Sequence, residues 1–165
     1  MRFVAVLMGS GSDWPVMKAT AALLDSLGIQ REVRVTSAHR TPTQTSEYVR
    51  DAETRGCQVF VCAAGLAAHL AGAVAAHTTK PVIGVPIETG PLSGLDALLS
   101  TVQMPGGVPV ATVAIGGAGA KNAAYLAAQI LALDDQELAE RLNQDRRANV
   151  LKVHAQNQEL QDSDG

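Results

Sequence analysis

The chain has 165 residues, of which 47% are hydrophobic, so it is long enough to form a domain with a sizeable core. A net charge of −3, with no basic run, argues against nucleic-acid binding. The longest apolar run, residues 59–68, is too short to cross a bilayer, and the first residues resemble a strand, so we expect neither a membrane span nor a signal peptide.

Strand-like and helix-like segments alternate along the whole chain. Strands are predicted at residues 2–8, 31–36, 57–62, 81–86 and 109–115. Helices are predicted at residues 13–27, 42–55, 66–77, 119–132 and 134–157. Continuous apolar strands alternating with helices are typical of a parallel sheet covered on both faces. We therefore predict an α/β fold, a flavodoxin-like three-layer αβα sandwich with a five-stranded parallel sheet and an extended C-terminal helix.

No linker or repeat is visible, so residues 1–165 are predicted to form a single domain. The last predicted helix carries only a thin apolar stripe: Leu138, Leu142, Val150 and Val153. We expect this helix, at about 134–157, to be an arm lying on another subunit, followed by a frayed tail at 158–165. The connection at 87–108 has no predicted element, and a connection of that length is typical of a functional loop or lid.

The two cysteines, Cys57 and Cys62, fall in one predicted strand. Their odd separation predicts that they point to opposite faces of the sheet, about 16 Å apart along the strand. At that distance they cannot form a disulfide. We interpret them as small buried apolar residues of a protein in a reducing compartment, the cytoplasm.

The segment SAHRTP lies between the second predicted strand and the second predicted helix. Open α/β sheets bind their ligands at the carboxyl ends of strands. The hydroxyl of Ser37, the imidazole of His39 and the guanidinium of Arg40 could hold a phosphate and move a proton in one cleft. Thr41 and Pro42 are interpreted as the N-cap and first residue of the helix.

A second loop, MGSGSDW, follows the first predicted strand and opens a helix. Its glycines, the hydroxyls of Ser10 and Ser12 and the helix N-terminus favour an anion. Asp13 would repel phosphate, so we interpret it as an acceptor for sugar hydroxyls or as the helix N-cap. Trp14 stands where a dinucleotide-binding loop has its third glycine, and no Gly-Lys-Ser/Thr follows as in a Walker A loop.

A third loop, AAGLAAHLAG, follows the strand at 57–62 and carries almost no large side chain before Leu66. Its backbone N–H groups could face a ligand directly. On this Ala-rich segment His69 is interpreted as a packed structural residue in preference to a catalytic one. The four histidines are not at metal-ligand spacing, so no metal site is predicted. The segment GGAG at 116–119 is interpreted as a close strand-to-helix turn.

These loops and further segments together resemble the PurE family of purine biosynthesis, class I, whose members are N5-carboxyaminoimidazole ribonucleotide (N5-CAIR) mutases. The quoted segments, in order, are MGSGSDW, SAHRTP, AGLAAHLAG, PVIGVP, LSGLDALLSTVQMPGGVPVATVAIG and AKNAAYLAAQIL. The resemblance implies an isomerase that moves a carboxylate from the exocyclic nitrogen to C4 of the imidazole. It implies no ATP, biotin, metal or other cofactor, and a homo-octamer with sites at subunit contacts. The low aromatic content and Ala-rich helices also favour self-association.

The resemblance also implies roles for individual residues. His39 would handle the C4 proton, and the phosphoribosyl end would be bound by Ser10, Ser12, Asp13, Ser37 and Arg40. The base and carboxylate would be held by Ala64, Gly65 and Ala67, in a pocket closed by Leu70. In the family's mechanism CO2 is released inside this closed pocket and recaptured by C4.

Some positions depart from the commonest family pattern. The family often has Gly-Ala-Gly-Gly where this chain has residues 63–66, Ala-Ala-Gly-Leu, and Gln-Ser where it has Glu88-Thr89. The segments SAHRTP and AAHL favour the mutase over the class II aminoimidazole ribonucleotide carboxylase, which uses CO2 directly. A non-catalytic flavodoxin-like binding module is the alternative from another class.

Overall fold

Five parallel strands form the single sheet of the computed structural model, which describes residues 2–163. In chain order the strands are β1 (Phe3–Met8), β2 (Arg31–Val35), β3 (Cys57–Ala64), β4 (Val82–Pro86) and β5 (Ala111–Thr112). The helices are α1 (Trp14–Ser26), α2 (Pro42–Arg55), α3 (Leu70–Ala75), α4 (Leu95–Val102), α5 (Gly116–Leu131) and α6 (Gln136–Ser163). The strand order is β2-β1-β3-β4-β5. The predicted α/β fold with a five-stranded parallel sheet is confirmed.

Helices cover both faces of the sheet because its central strands are apolar on both sides. On one face α2 and α3 pack over alternate strand residues; this core comprises Phe3, Ala5, Leu7, Tyr48, Val49, Ala52, Cys57, Phe60, Cys62, Leu70, Ala71, Val74, Ala75 and Val82. On the other face Thr20 of α1 donates its hydroxyl to the Ala120 carbonyl of α5 (2.6 Å). Burial of these side chains supplies most of the driving force for folding.

The prediction that Cys57 and Cys62 face opposite sides of the sheet is wrong. The register of β3 against β1 shifts between Phe3 and Val4, which adds one residue to β3. Such a bulge reverses the alternation of side chains along the strand. Both cysteines consequently lie in the same buried core, and both are free thiols.

The structure corrects two further predictions between β3 and β5. The helix expected at 66–77 is confined to α3, because the left-handed backbone of Leu66 (φ +53°) cannot belong to a right-handed helix. The connection expected at 87–108 contains the two-turn helix α4, which buries Ala97 and Thr101. Its sequence, LDALLSTV, combines good helix formers with an apolar stripe that the loop interpretation overlooked.

The end of the sheet also differs from the prediction. Strand β5 has only two residues, against the expected 109–115, and α5 begins at Gly116. A Cβ on Gly119 would lie 1.6 Å from the Ala114 carbonyl oxygen. The GGAG segment, predicted to be a strand-to-helix turn, is therefore the first turn of α5, and it packs closely against the backbone that precedes it.

The chain forms two compact units, one ending at Ala127 and the other beginning at Ala128. The second unit contains α6, which runs through Ser163 and so extends beyond the expected end at residue 157. Residues 164 and 165 of the expected tail lie outside the described residues. Several apolar side chains of α6 are exposed, among them Val150, Leu151, Val153 and Leu160. Between residues 2 and 163, no helix combines the length and apolarity that a membrane span needs.

Candidate active site

The loops that follow β1, β2 and β3 meet at one edge of the sheet. Backbone hydrogen bonds fix the strand ends there: Thr36 donates to the Met8 carbonyl (2.9 Å) and Gly9 donates to the Ala63 carbonyl (2.9 Å). The connection after β1 leads to β2, and the connection after β3 leads to β4, in opposite directions across the sheet. The carboxyl ends of β1 and β3 therefore form a topological switch point, at which α/β sheets bind ligands.

A cavity of about 520 Å³ opens at this edge. Its walls include every residue predicted for the site: Ser10, Ser12, Asp13, Ser37, His39, Arg40, Ala64, Gly65, Ala67 and Leu70. The cavity is also lined by Gly9, Ala38, Leu66, His69 and Thr89, which the sequence did not assign to the site. Residues far apart in the chain are therefore brought around one volume that suits a small molecule.

The loop after β1 is held by a reciprocal cap. The Ser10 hydroxyl accepts from the Ser12 N–H (3.2 Å) and from the Ser12 hydroxyl (2.8 Å), while an Asp13 carboxylate oxygen accepts from the Ser10 N–H (3.2 Å). This capping box closes the 3₁₀ turn Gly11–Asp13. Asp13 occupies the predicted N-cap position of α1, but its side chain makes no capping hydrogen bond to that helix.

Asp13 is a buried carboxyl group beside the cavity. Burial raises its pKa, and the hydrogen bonds from the Ser10 backbone and the Ser12 side chain oppose that rise. Removing a carboxylate from water destabilises its charged form, and hydrogen bonds to that form stabilise it. Keeping Asp13 charged at this buried position therefore costs folding free energy, and the hydrogen bond that it accepts from the Ser10 N–H does not by itself require a carboxylate.

The loop after β2 is tied to the loop after β1 by Arg40. Its Nη2 donates to the Gly9 carbonyl (3.1 Å), and its backbone N–H donates to the Ser37 hydroxyl (3.2 Å). Thr41 and Pro42 occupy the predicted N-cap and first positions of α2, but the Thr41 side chain makes no capping hydrogen bond to that helix. Its hydroxyl instead accepts from the Ser37 N–H (2.9 Å) and donates to the Ser37 carbonyl (3.1 Å). Thr41 therefore fixes the turn that presents Ser37, His39 and Arg40 at the cavity.

His39 and His69 are in direct contact across the cavity. The His39 Nε2 and the His69 Nδ1 are 2.5 Å apart, and the rings meet edge to face at 88°. At most one proton fits between these two nitrogens, so one ring donates and the other accepts. His69 immediately precedes α3 and is exposed, so its ring lies outside the core, where it contacts His39. The structural interpretation of His69 missed this pairing.

The third loop is supported by helix α4, which the sequence patterns did not predict. The Ala68 N–H donates to the Ser100 hydroxyl (3.0 Å), which itself donates to the Asp96 carbonyl (2.8 Å). The other end of the loop is bound to the segment after β4, where the Ile87 N–H donates to the Ala64 carbonyl (2.9 Å). These contacts hold a run of small residues open towards the cavity.

The other histidines do not line the cavity, since His77 is exposed in the turn after α3 and His154 is exposed on α6. Within the described part of the chain, no three or more His, Cys, Asp or Glu side chains are grouped so that they could hold a metal ion. The chemistry available at the cavity is that of two contacting imidazoles, a guanidinium, a buried carboxyl group and serine hydroxyls.

The sequence that forms this sheet and cavity matches a known family of enzymes. The family described as AIR carboxylase matches residues 3–151, and the chain therefore belongs to that family. The chain is similar to proteins named N5-carboxyaminoimidazole ribonucleotide mutase. One from Bacillus subtilis is 54% identical over 147 residues, which are 89% of this chain and 90% of that protein. One from Mycobacterium tuberculosis H37Rv is 56% identical over 160 residues, which are 96% of this chain and 90% of that protein.

A solved structure shows the same architecture. The crystal structure of Treponema denticola PurE superposes with a TM-score of 0.87 at 30% sequence identity, and the match covers 97% of this chain and 99% of that one. A second crystal structure, of a single-residue variant of the same organism's protein, gives a TM-score of 0.88 at 29% identity over 96% of this chain. The likeness therefore extends over nearly the whole chain.

Proposed function

We infer that the protein is an enzyme of purine biosynthesis, a mutase that converts N5-CAIR to 4-carboxy-5-aminoimidazole ribonucleotide (CAIR). Proteins named for this activity are 52–56% identical to this chain over most of its length. The observation that carries the proposal within the structure is the contact between His39 and His69 in a cavity that also presents Arg40. A substrate with a phosphate, a sugar and a mobile carboxylate needs these groups together.

The polar end of the cavity is proposed to bind the phosphoribosyl group. Arg40 supplies a planar cation next to the hydroxyls of Ser10, Ser12 and Ser37, a combination suited to phosphate oxygens. The buried Asp13 is proposed to accept from the ribose hydroxyls, since a carboxylate beside phosphate would be repulsive. The small residues Ala64, Gly65 and Ala67, with Leu70 behind them, are proposed to hold the imidazole and its carboxylate.

His39 is proposed to move the proton. In the reaction the N–C bond of the carbamate breaks, its electrons remain on the exocyclic nitrogen, and CO2 is released. C4 then attacks CO2, and the proton on C4 is finally replaced by the new carboxylate. Besides moving the carboxylate from the exocyclic nitrogen to C4, the reaction moves one proton from C4 to that nitrogen, which one imidazole can carry between the two atoms. His69 is placed to fix the orientation of His39 through their shared hydrogen bond.

The alternative reaction is direct carboxylation of aminoimidazole ribonucleotide by CO2 from solution. The description of the family as AIR carboxylase names this reaction. One experiment separates the two. Purified protein is given N5-CAIR in one arm and aminoimidazole ribonucleotide (AIR) with bicarbonate in the other, and formation of CAIR is followed by ultraviolet absorbance. Rapid conversion of N5-CAIR alone supports the mutase. Rapid carboxylation of AIR without use of N5-CAIR would establish the carboxylase, and no conversion in either arm would leave a binding module.

The working unit is proposed to be a homo-oligomer, and an octamer on the family resemblance. Apolar side chains line one exposed stripe of α4 and the turn before it, with exposures of 45–57%: Leu92, Leu95, Leu99 and Val102. Exposed apolar stripes of this kind mark protein contacts. The free thiols of Cys57 and Cys62 agree with the proposed cytoplasmic location.

A further inference from the structure

Leu66 combines two unfavourable features at the mouth of the cavity. Its φ of +53° places a residue with a branched side chain in the left-handed region, where glycine is preferred. Its apolar side chain is 51% exposed although it lines the cavity. A glycine at this position would avoid both the strain and the exposure. The presence of leucine despite these costs indicates a role for its side chain at the cavity.

The side chain of Leu66 lies against the backbone of the segment after β4. A Cβ on Gly90 would come within 2.6 Å of the Leu66 Cδ2, so residue 90 must lack a side chain for Leu66 to keep its position. The adjacent pair is equally close, because a Cβ on Gly65 would lie 2.3 Å from the Thr89 Cγ2. Leu66 therefore reaches from the third loop to the segment after β4, where the absence of a side chain at Gly90 leaves room for it.

We propose that Leu66 determines the fidelity of carboxyl transfer by forming an apolar wall that retains CO2 and excludes water at the cavity mouth. The proposal rests on the proposed mutase function. After the carbamate N–C bond breaks, CO2 either reacts with C4 or escapes and is hydrated to bicarbonate, leaving AIR behind. An apolar side chain at the mouth favours the first path because it obstructs both the exit of CO2 and the entry of water.

The test measures escape directly. Full-length protein converts unlabelled N5-CAIR in buffer that contains ¹³C-bicarbonate and carbonic anhydrase, which mixes any escaped CO2 with the labelled pool. Mass spectrometry measures ¹³C in the CAIR formed, and chromatography measures the AIR released, after subtraction of a blank without enzyme. In the wild type we expect little label in CAIR and little AIR.

Leu66→Gly removes the wall and relieves the strain, so the variant is expected to fold. We expect its AIR release and label incorporation to rise about tenfold relative to the wild type, equivalent to a small change in the relative barriers of recapture and escape. The matched control is Leu133→Gly, which removes a leucine that is 87% exposed and does not line the cavity, and it should leave both quantities unchanged.

Gly90→Ala tests the same contact from the other side, because the new methyl group displaces Leu66. Gly28→Ala is its control: the backbone φ is nearly the same (+72° against +71°), but no atom lies within 4 Å of the added Cβ. We expect Gly90→Ala to raise escape and Gly28→Ala not to. The double variant L66G/G90A should leak no more than L66G, since the two changes remove one contact.

Equal label incorporation in L66G and wild type, with both active, would overturn the role of Leu66 and leave the proposed function intact. Escape in L66G/G90A that equals the sum of the single effects would also overturn it, since residues 66 and 90 would then act independently. A wild-type protein that forms no CAIR from N5-CAIR would overturn the proposed function and this proposal with it.

Discussion

The Nε2 of His39 lies 2.5 Å from the Nδ1 of His69, although the two residues are separated by thirty positions in the chain. His39 comes from the loop after β2 and His69 from the loop after β3, on opposite sides of β1. The pairing follows from strand order, since both loops leave the sheet at the same edge. It gives the proposed proton carrier a defined partner before substrate arrives.

Replacing His39 is expected to remove the proton-transfer step. His39→Asn should lower turnover of N5-CAIR by about 10²–10⁴-fold, the usual contribution of a general acid or base. The folded structure should persist, because the side chain is exposed at a cavity and not part of the core. Steady-state kinetics and circular dichroism check this, with His77→Asn in the exposed turn after α3 as control. Near-wild-type turnover in His39→Asn would refute the assignment.

Replacing His69 is expected to act through His39. His69→Ala should reduce turnover by roughly ten- to a hundredfold, the equivalent of losing a hydrogen bond to a charged group in the reacting state. The loss should appear in turnover with little change in the Michaelis constant, because His69 contacts His39 and is not proposed to bind the phosphoribosyl group. Turnover equal to that of the wild type would limit His69 to a structural role.

Arg40 is expected to bind substrate without transferring a proton. Arg40→Lys keeps the charge but loses the planar fork and the hydrogen bond from Nη2 to the Gly9 carbonyl. The Michaelis constant should rise about tenfold with little change in turnover, as expected for the loss of one charge-assisted hydrogen bond. Arg50→Lys, on the exposed side of α2, is the control. A large fall in turnover at saturating substrate would contradict this division of roles.

Asp13 is expected to lower stability while it serves binding. Burial raises its pKa in the folded state above the ordinary 3.8, so the folded protein holds this proton more tightly than the unfolded chain. Stability therefore falls as pH rises from the unfolded pKa through the folded one. Asp13→Asn has no such loss, and its oxygen can still accept from the Ser10 N–H.

Thermal unfolding between about pH 3 and pH 7, a window that brackets the ordinary carboxyl pKa, measures the effect of Asp13→Asn. We expect the melting temperature of Asp13→Asn, measured relative to that of the wild type, to increase as pH rises through this window. The variant should also bind the ribonucleotide more weakly than the wild type does. A variant whose melting temperature drops relative to the wild type with rising pH would show that hydrogen bonding to the carboxylate outweighs its desolvation. Unchanged affinity would remove Asp13 from the binding site.

The exposed stripe of α4 is expected to support assembly. The double substitution Leu95→Gln and Leu99→Gln makes this surface polar without touching the buried residues Ala97 and Thr101. Light scattering should show a lower mass than for the wild type, and activity should fall with it. Leu133→Gln, at an exposed turn, should change neither. A wild-type protein that is a fully active monomer at micromolar concentration would refute both the oligomer and sites shared between subunits.

Local sequence determined most of the elements and the loops that carry the chemistry. Apolar runs specified β1, β3 and β4 because a strand buried on both faces must be apolar on both. The strand ends predicted which loops line the cavity, since parallel strands present their carboxyl ends at one edge. The family resemblance added Ala64, Gly65, Ala67 and Leu70, whereas Leu66 and His69 were not assigned to the site. The helix α4 could have been found from its apolar spacing, but the glycines and prolines around it favoured a loop.

Only the tertiary structure decided the contacts that depend on register and on neighbouring loops. The bulge in β3, which puts Cys57 and Cys62 on one face, arises from pairing with β1 and leaves no local sequence signal. The contact of His39 with His69 and that of Leu66 with Gly90 each join separate loops, so no periodicity within either loop encodes them. Sequence patterns report which face of an element is buried, whereas distances between loops follow from how the whole sheet is assembled.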